Sequence, residues 1–314
     1  MFKGKKGVLL LLVLLLIISA CERFGVGSKD KEQTQTAFVG GSNALTVAFV
    51  DNEPPVNVLD AGQQDFYITL LVKNEGEFTI PKGKILASLS GVSREAFGLS
   101  NLNVKSNFDL DGVTKEISGG IEELEFGLAS YKPDLPADFL TNMRADVCYD
   151  YETDALATLC LRKNLFERDI NGVCDVNQEG VNVENSGGPV QVQNLKVSRT
   201  GPNQMRVLFD VVNAGQGGIY EPNAFSNVCG GQENKKDMVK VKLSSPANRF
   251  KISCSRFSGS EGVVRLVNGI KTVSCTVDTS TLQEATFEDL LQINVKYMYR
   301  DAISVPLTIE NAAS

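Results

Sequence analysis

The 314-residue chain contains no histidine and no tryptophan. Without histidine the commonest general base and metal ligand is missing, and Ser–His or Cys–His nucleophile pairs are excluded. Without tryptophan the Cys–Trp–Cys core of a true immunoglobulin domain cannot form. No Cys-x-x-Cys spacing offers a zinc site. Glycine patterns for phosphate or dinucleotide binding are absent, as is any Asn-x-Ser/Thr acceptor for N-glycosylation. The net charge of −7 argues against nucleic acid as a partner, since phosphate binding needs clustered Lys and Arg in excess. The sequence therefore assigns no catalytic residue, no metal site and no cofactor.

What is present begins at the N-terminus. Lys3, Lys5 and Lys6 precede an apolar run from Val8 to Ala20, which ends Ile18-Ser19-Ala20-Cys21. The run of about 13 residues fits a signal-peptide core and falls short of the roughly 18–20 that a spanning helix needs. Its end resembles the lipobox of prokaryotic lipoproteins, which implies lipidation of Cys21. An uncleaved short anchor and an ordinary signal peptide are the alternatives. All three place the remaining chain outside the cytoplasm, with the membrane as a partner through the N-terminus. Setting Cys21 aside from the seven cysteines leaves Cys148, Cys160, Cys174, Cys229, Cys254 and Cys275. An even number in an exported chain reads as three disulfides.

Residues 22–43 are polar, lack apolar periodicity and read as a flexible tether with a reach of roughly 25 Å. From Ala44 the pattern is that of short strands. Phe66, Ile68, Leu70 and Val72 share one face by the period of two. Two landmarks recur in the same order. The strand end Val72-Lys73-Asn74-Glu75-Gly76 is echoed by Val211-Val212-Asn213-Ala214-Gly215, and the pair Tyr149, Tyr151 by Tyr297, Tyr299. The repetition predicts a duplicated unit. The reading is an all-β chain: a signal or anchor segment (1–21), the tether (22–43), a first immunoglobulin-like β-sandwich domain (44–165), a linker (166–187) and a second tandem sandwich (188–311). Asn-x-Gly is expected to let the chain leave the sheet through positive φ. Pro136 to Arg144 and Thr281 to Leu291 could each hold a helical turn. Each tyrosine pair is read as a half-buried strand rather than a ligand platform.

Two hairpins are expected. One turns near Asp154, which would set Cys148 opposite Cys160 and pair them. The other turns at Asn268-Gly269, a strong type I′ signal, between Val263 and Cys275. Among the remaining four cysteines three connectivities exist, and Cys254–Cys275 with Cys174–Cys229 is the preferred one.

A strand ending in Val-x-Asn-x-Gly, followed by a proline-containing turn, resembles the prokaryotic immunoglobulin-like modules of the cell-adhesion-related (CARDB-like) type. With Leu89-Ser90-Gly91, Cys148-Tyr149-Asp150-Tyr151 and the cysteines from Cys229 to Cys275, the pattern is similar to a group of archaeal surface proteins. The resemblance spans about residues 44–310. It implies tandem sandwiches and is nearly silent on activity.

Acidic residues offer the remaining chemistry. Asp109 and Asp111, or Asp150, Glu152 and Asp154, could in principle hold calcium, but the spacing of an EF-hand loop is absent, and solvated turns account for both. Glu122, Glu123 and Glu125 read as a solvated strand face. The expected function is a non-catalytic cell-surface lipoprotein, acting as a structural, adhesive or ligand-binding module toward a surface protein or glycan. The alternatives are a surface hydrolase or its accessory subunit, or an envelope or filament assembly subunit. The stretches Gly91–Gly120 and Gly215–Asp237 are the expected contact surfaces.

Overall fold

Successive side chains of a strand point to opposite faces, and this alternation builds nearly all of the structure. The computed structural model describes residues 36–167, 172–283 and 285–312. The first repeat supplies β1 (Leu45–Phe49), β2 (Asn57–Leu59), β3 (Phe66–Asn74), β4 (Ile85–Ser90), β5 (Asn103–Lys105), β6 (Ile121–Ala129) and β7 (Phe139–Leu161). The connecting stretch carries β8 (Gln178–Val181) and β9 (Val183–Asn185). The second repeat supplies β10 (Val190–Gly201), β11 (Gln204–Asn213), β12 (Gly218–Tyr220), β13 (Met238–Ser244), β14 (Lys251–Cys254), β15 (Glu261–Arg265), β16 (Ile270–Asp278) and β17 (Phe287–Glu310). Apart from a 3-10 turn at Glu233–Lys235, the described residues are all-β, as the sequence predicts.

Each repeat places one small sheet of its own against a sheet that both share. The small sheets run β1-β3-β6 in the first repeat and β14-β16-β11-β10-β8 in the second. On β3, Phe66, Ile68, Leu70 and Val72 face the core, as expected; Met205, Val207, Phe209 and Val211 do so on β11. The shared sheet is nine-stranded along the path β15-β13-β17-β7-β4-β5, with β2, β9 and β12 at its sides. At its centre β7 and β17 pair antiparallel along the whole 23 residues of β7. Reading outward gives the same sequence of elements on both sides. Tyr149 lies opposite Tyr299 and Tyr151 opposite Tyr297, so exchanging the repeats reproduces the register. The duplicated unit thus has an internal pseudo-two-fold passing between Asp150 and Met298.

The two long strands join the repeats into one body. One end of β7 pairs β4 of its own repeat, and the other end runs on to pair β9. Likewise β17 pairs β13 at one end and takes β2 of the first repeat, in parallel, at the other. Each sandwich is therefore completed by half of the other repeat's long strand. One contiguous core follows, containing Ile68, Leu124 and Leu307 together with Phe209, Leu159 and Ile293.

This architecture corrects several expectations. No hairpin turns at Asp154: β7 passes straight through it. Tyr149, Tyr151, Ala155, Ala157 and Leu159 alternate inward, while Asp150, Glu152 and Asp154 form the outer side of the same strand. Alternating acids imitate a turn, but an unbroken buried face holds the strand extended. Cys148 and Cys160 consequently lie twelve positions apart on one strand, roughly 40 Å at about 3.3 Å per residue, and cannot pair. The disulfides are Cys148–Cys229, Cys160–Cys174 and Cys254–Cys275. The expected Cys174–Cys229 bond is replaced because each partner bonds a residue of β7 instead. Cys254–Cys275 forms as predicted, between residues directly opposite on β14 and β16.

The turn at Asn268-Gly269 does form, with φ of 53° and 78°. Its flanks diverge, however: β15 joins the shared sheet and β16 the small one, so the turn crosses between layers. Among the described residues neither proposed helical turn forms; β7 already begins at Phe139 and β17 at Phe287. The segment 1–21, with Cys21, lies outside the described residues, as does the tether through residue 35. From Ala37 the remaining tether is held by hydrogen bonds. Glu184 accepts Ala37 N–H at 2.7 Å, and Glu77 accepts Val39 and Gly40 N–H at 2.9 Å each.

Candidate functional site

The pseudo-two-fold is built around four tyrosines that the sequence reading left half-buried. Tyr149, Tyr151, Tyr297 and Tyr299 are all buried. Their rings form a closed square with neighbouring centroids 5.9–6.3 Å apart, within the range of favourable aromatic pairs. The hydroxyls reach the ends of the small-sheet strands. Tyr151 Oη accepts Phe78 N–H at 3.3 Å, and Tyr299 Oη accepts Gly217 N–H at 2.7 Å. Phe78 and Gly217 each lie four residues past the motif asparagine. Asn74 and Asn213 in turn donate to the carbonyls of those same residues, at 2.8 and 3.1 Å. The motif glycines do not carry positive φ. They are needed because a Cβ at Gly76 would strike the Tyr151 hydroxyl and one at Gly215 the Tyr299 hydroxyl. The two landmarks of the repeat are thus a single contact, made twice.

Burial is the main cause of the tyrosines' shifted acidities. It drives Tyr149 and Tyr297 well above the ordinary phenol range and pushes Tyr299 up to about 12. Tyr149 donates to Asp301 at 2.9 Å. Burial also raises the Asp301 carboxyl, and the tyrosine hydrogen bond only partly offsets it.

Where these strand-end loops meet the outer face of the shared sheet, each repeat has a groove. In the first repeat Glu77, Phe78 and Thr79 face Glu152 and Asp154 across a groove of about 740 Å³. The carboxylates of Glu77, Glu152 and Asp154 are engaged in holding the chain, and Glu116 also lines the groove. Glu77 also accepts Gly187 N–H at 2.6 Å, Glu152 pairs with Lys296 at 2.6 Å, and Asp154 accepts from Asn294 at 2.9 Å. In the second repeat the corresponding positions are Gln216, Gly217 and Gly218 facing Arg300 and Ala302, in a cleft of about 530 Å³. The charge has reversed. Arg144, Lys236, Tyr220 and Asp301 complete the lining.

The arginines of this cleft are held in place by Asp146, a buried residue on the outer side of β7. Arg144 donates to it through Nε at 3.2 Å and Nη2 at 2.9 Å. Arg300 donates through the same two nitrogens at 3.2 and 2.9 Å. Burial raises the Asp146 carboxyl, but the hydrogen bonds from Arg144 and Arg300 outweigh it and hold the group below the ordinary range. Two guanidinium groups share one carboxylate, so one positive charge is left over beside Lys236.

Between the grooves the loop after β12 lies across the outer face. Tyr220, Ala224, Phe225 and Cys229 pack on Leu86, Cys148 and Met298, and the Cys148–Cys229 bond fastens them. In the expected contact stretch Gly215–Asp237, Ala224, Phe225 and Cys229 are buried, while Asn223, Ser226, Asn227 and Val228 are exposed. Among the acidic candidates, Asp109 accepts Lys82 N–H at 2.7 Å and Asp150 pairs with Lys84 at 2.9 Å. Glu123 and Glu125 are exposed, whereas Glu122 turns inward and accepts Asn107 N–H at 2.5 Å. Among the described residues no group of three or more His, Cys, Asp or Glu side chains could hold a metal ion. The cleft arginines escaped the sequence reading. Arg144-x-Asp146 on one strand face is its only local trace; Arg300 comes from 154 positions away.

No protein-family model matches the chain, and no curated protein matches it in sequence. Solved structures with some likeness include the envelope protein VP37 of White Spot Syndrome Virus. It is 9% identical with a TM-score of 0.21, and the match covers 48% of this chain and 98% of that one. The secreted serine protease VesC of Vibrio cholerae is 12% identical with a TM-score of 0.22; the match covers 81% of this chain and 50% of VesC. The E. coli chaperone DraB is 12% identical with a TM-score of 0.19, at 78% and 98% coverage.

Proposed function

We propose that the protein is a non-catalytic binding module displayed outside the cell and held to the membrane through a lipid on Cys21. One observation carries this reading: the described residues hold three disulfides, one of them bridging 81 positions to fasten the loop of the second repeat onto the first. Such bonds persist in oxidising compartments and are rare in the cytosol. A rigid body on a tether suits presentation of a surface. Its ionisable groups also favour binding over reaction. The groove carboxylates of Glu77, Glu152 and Asp154 are engaged by backbone N–H groups, Lys296 and Asn294, which disfavours them as acid–base catalysts. The CARDB-like resemblance points the same way.

The test is the intact mass of the chain purified from membranes, together with its digestion by protease added to whole cells. The expected result is a mature chain that begins at a lipid-modified Cys21 and is cut in intact cells. A chain with an unmodified Met1, protected from protease until lysis, would overturn the reading.

A further inference from the structure

We propose that the cleft of the second repeat is a binding site for a carboxylate-bearing sugar, a uronate unit of an acidic polysaccharide. The inference rests on the surface-module reading and names the ligand class of that surface.

Four observations carry it. First, the cleft and the acidic groove are the same place in the duplicated unit, so the first repeat serves as an internal comparison. Where it has Glu77, Glu152 and Asp154, the cleft has Gln216, Arg300 and Ala302. Each of these three acids has been replaced, one of them by an arginine, while Asp301 remains in the lining, in a chain whose net charge is −7.

Second, the guanidinium groups are oriented before any ligand arrives. Each arginine has five N–H donors. Asp146 takes the Nε and one Nη2 proton of each, and Arg300 Nη1 makes only a long 3.4 Å contact with Tyr220 Oη. Donors therefore remain on both groups. A planar guanidinium edge matches a carboxylate, and a preformed pair loses little freedom on binding.

Third, the charge balance of the cleft is positive. Arg144, Arg300 and Lys236 face Asp146 and Asp301 within it, and Arg265 lies behind, donating to the carbonyls of Lys236 and Asn234. Glu233 pairs with Lys236 Nζ at 4.0 Å. The Asp301 carboxylate accepts from Tyr149.

Fourth, the lining is polar. Apart from Ala302 and the ring of Tyr220, it consists of charged side chains, Gln216 and two glycines. Such a wall offers little to an apolar or aromatic side chain and much to hydroxyl groups. The volume of about 530 Å³ admits a unit of sugar size. These features favour a sugar acid over an acidic peptide.

The experiment measures binding of the full chain, in detergent, to immobilised polyuronate, with a neutral glucan and a sulfated glucan as parallel surfaces. Arg144→Gln is the main variant: Arg300 still pairs with Asp146 Oδ1 after the change, while Oδ2 loses the Arg144 Nε bond. Lys236→Gln is the second, and Lys251→Gln, exposed on β14 in the small sheet, controls for the loss of one charge. Each variant is first checked for an unchanged disulfide pattern. The expected result is binding to polyuronate and not to neutral glucan, weakened at least about ten-fold by R144Q and by K236Q and less than two-fold by K251Q. Absence of polyuronate binding overturns the assignment, as does equal loss in all three variants. Binding to the sulfated surface alone overturns the carboxylate class. Failure here, in a protein that proves lipid-anchored and exposed, leaves the surface-module reading standing; a cytosolic chain would instead remove that reading at its root.

Discussion

At the scale of single residues, the asparagine, glycine and tyrosine of each repeat act as one device. The glycine leaves room for a tyrosine hydroxyl, which accepts a backbone N–H, and the asparagine closes the loop from the other side. Gly215→Ala would press a methyl group against Tyr299 Oη and the Pro189 ring. Overpacking of this kind costs about 1–3 kcal/mol. Tyr299→Phe alone should cost about 1 kcal/mol, because it leaves the half-buried Gly217 N–H without its acceptor. The double variant G215A/Y299F should lose less than the sum of the two, since the hydroxyl that the methyl would strike is gone. Urea unfolding of the three variants measures this coupling; strict additivity would contradict the contact. The residues were legible as a recurring pattern, but their roles were not. Asn-x-Gly suggested positive φ, whereas the glycine answers to a side chain distant in sequence.

At the scale of elements, β3 and β11 were readable because one face of each is buried and alternation is unambiguous there. The long strand β7 was not. Its outer face carries three acids in alternate positions, and acids between apolar residues look like a turn to any local rule. Those acids sit where they do because Lys84, just before β4, and Lys296 and Asn294 on β17 come to meet them. The misread turn also produced the wrong cysteine pairing, as both errors share one premise. With β7 straight, Cys148 is free to hold the loop after β12. The double variant C148S/C229S opens a loop closed over 81 positions. The chain-entropy model gives about 4–5 kcal/mol for a loop of that length. Loosening should concentrate in residues 221–236, seen as faster amide hydrogen exchange there than in the small sheets. Uniform acceleration across the chain would contradict a local fastening role.

At the scale of the whole molecule, duplication and strand exchange make one body from two sandwiches. Tandem sandwiches were legible in the sequence, because each repeat carries its own small sheet and its own landmarks. The shared sheet was not legible, since no local signal says that a strand will run on past its own domain. The same blindness hid the cleft: Arg144 and Arg300 belong to different repeats and meet only because β7 and β17 are neighbours. The account therefore stands on the claim that the repeats are joined through the outer face of a common sheet in an exported protein. Peptide mapping of the disulfides in protein taken from the membrane fraction tests that claim most directly. The account predicts the three bonds Cys148–Cys229, Cys160–Cys174 and Cys254–Cys275. A Cys148–Cys160 bond, or free thiols at Cys148 and Cys229, would contradict it.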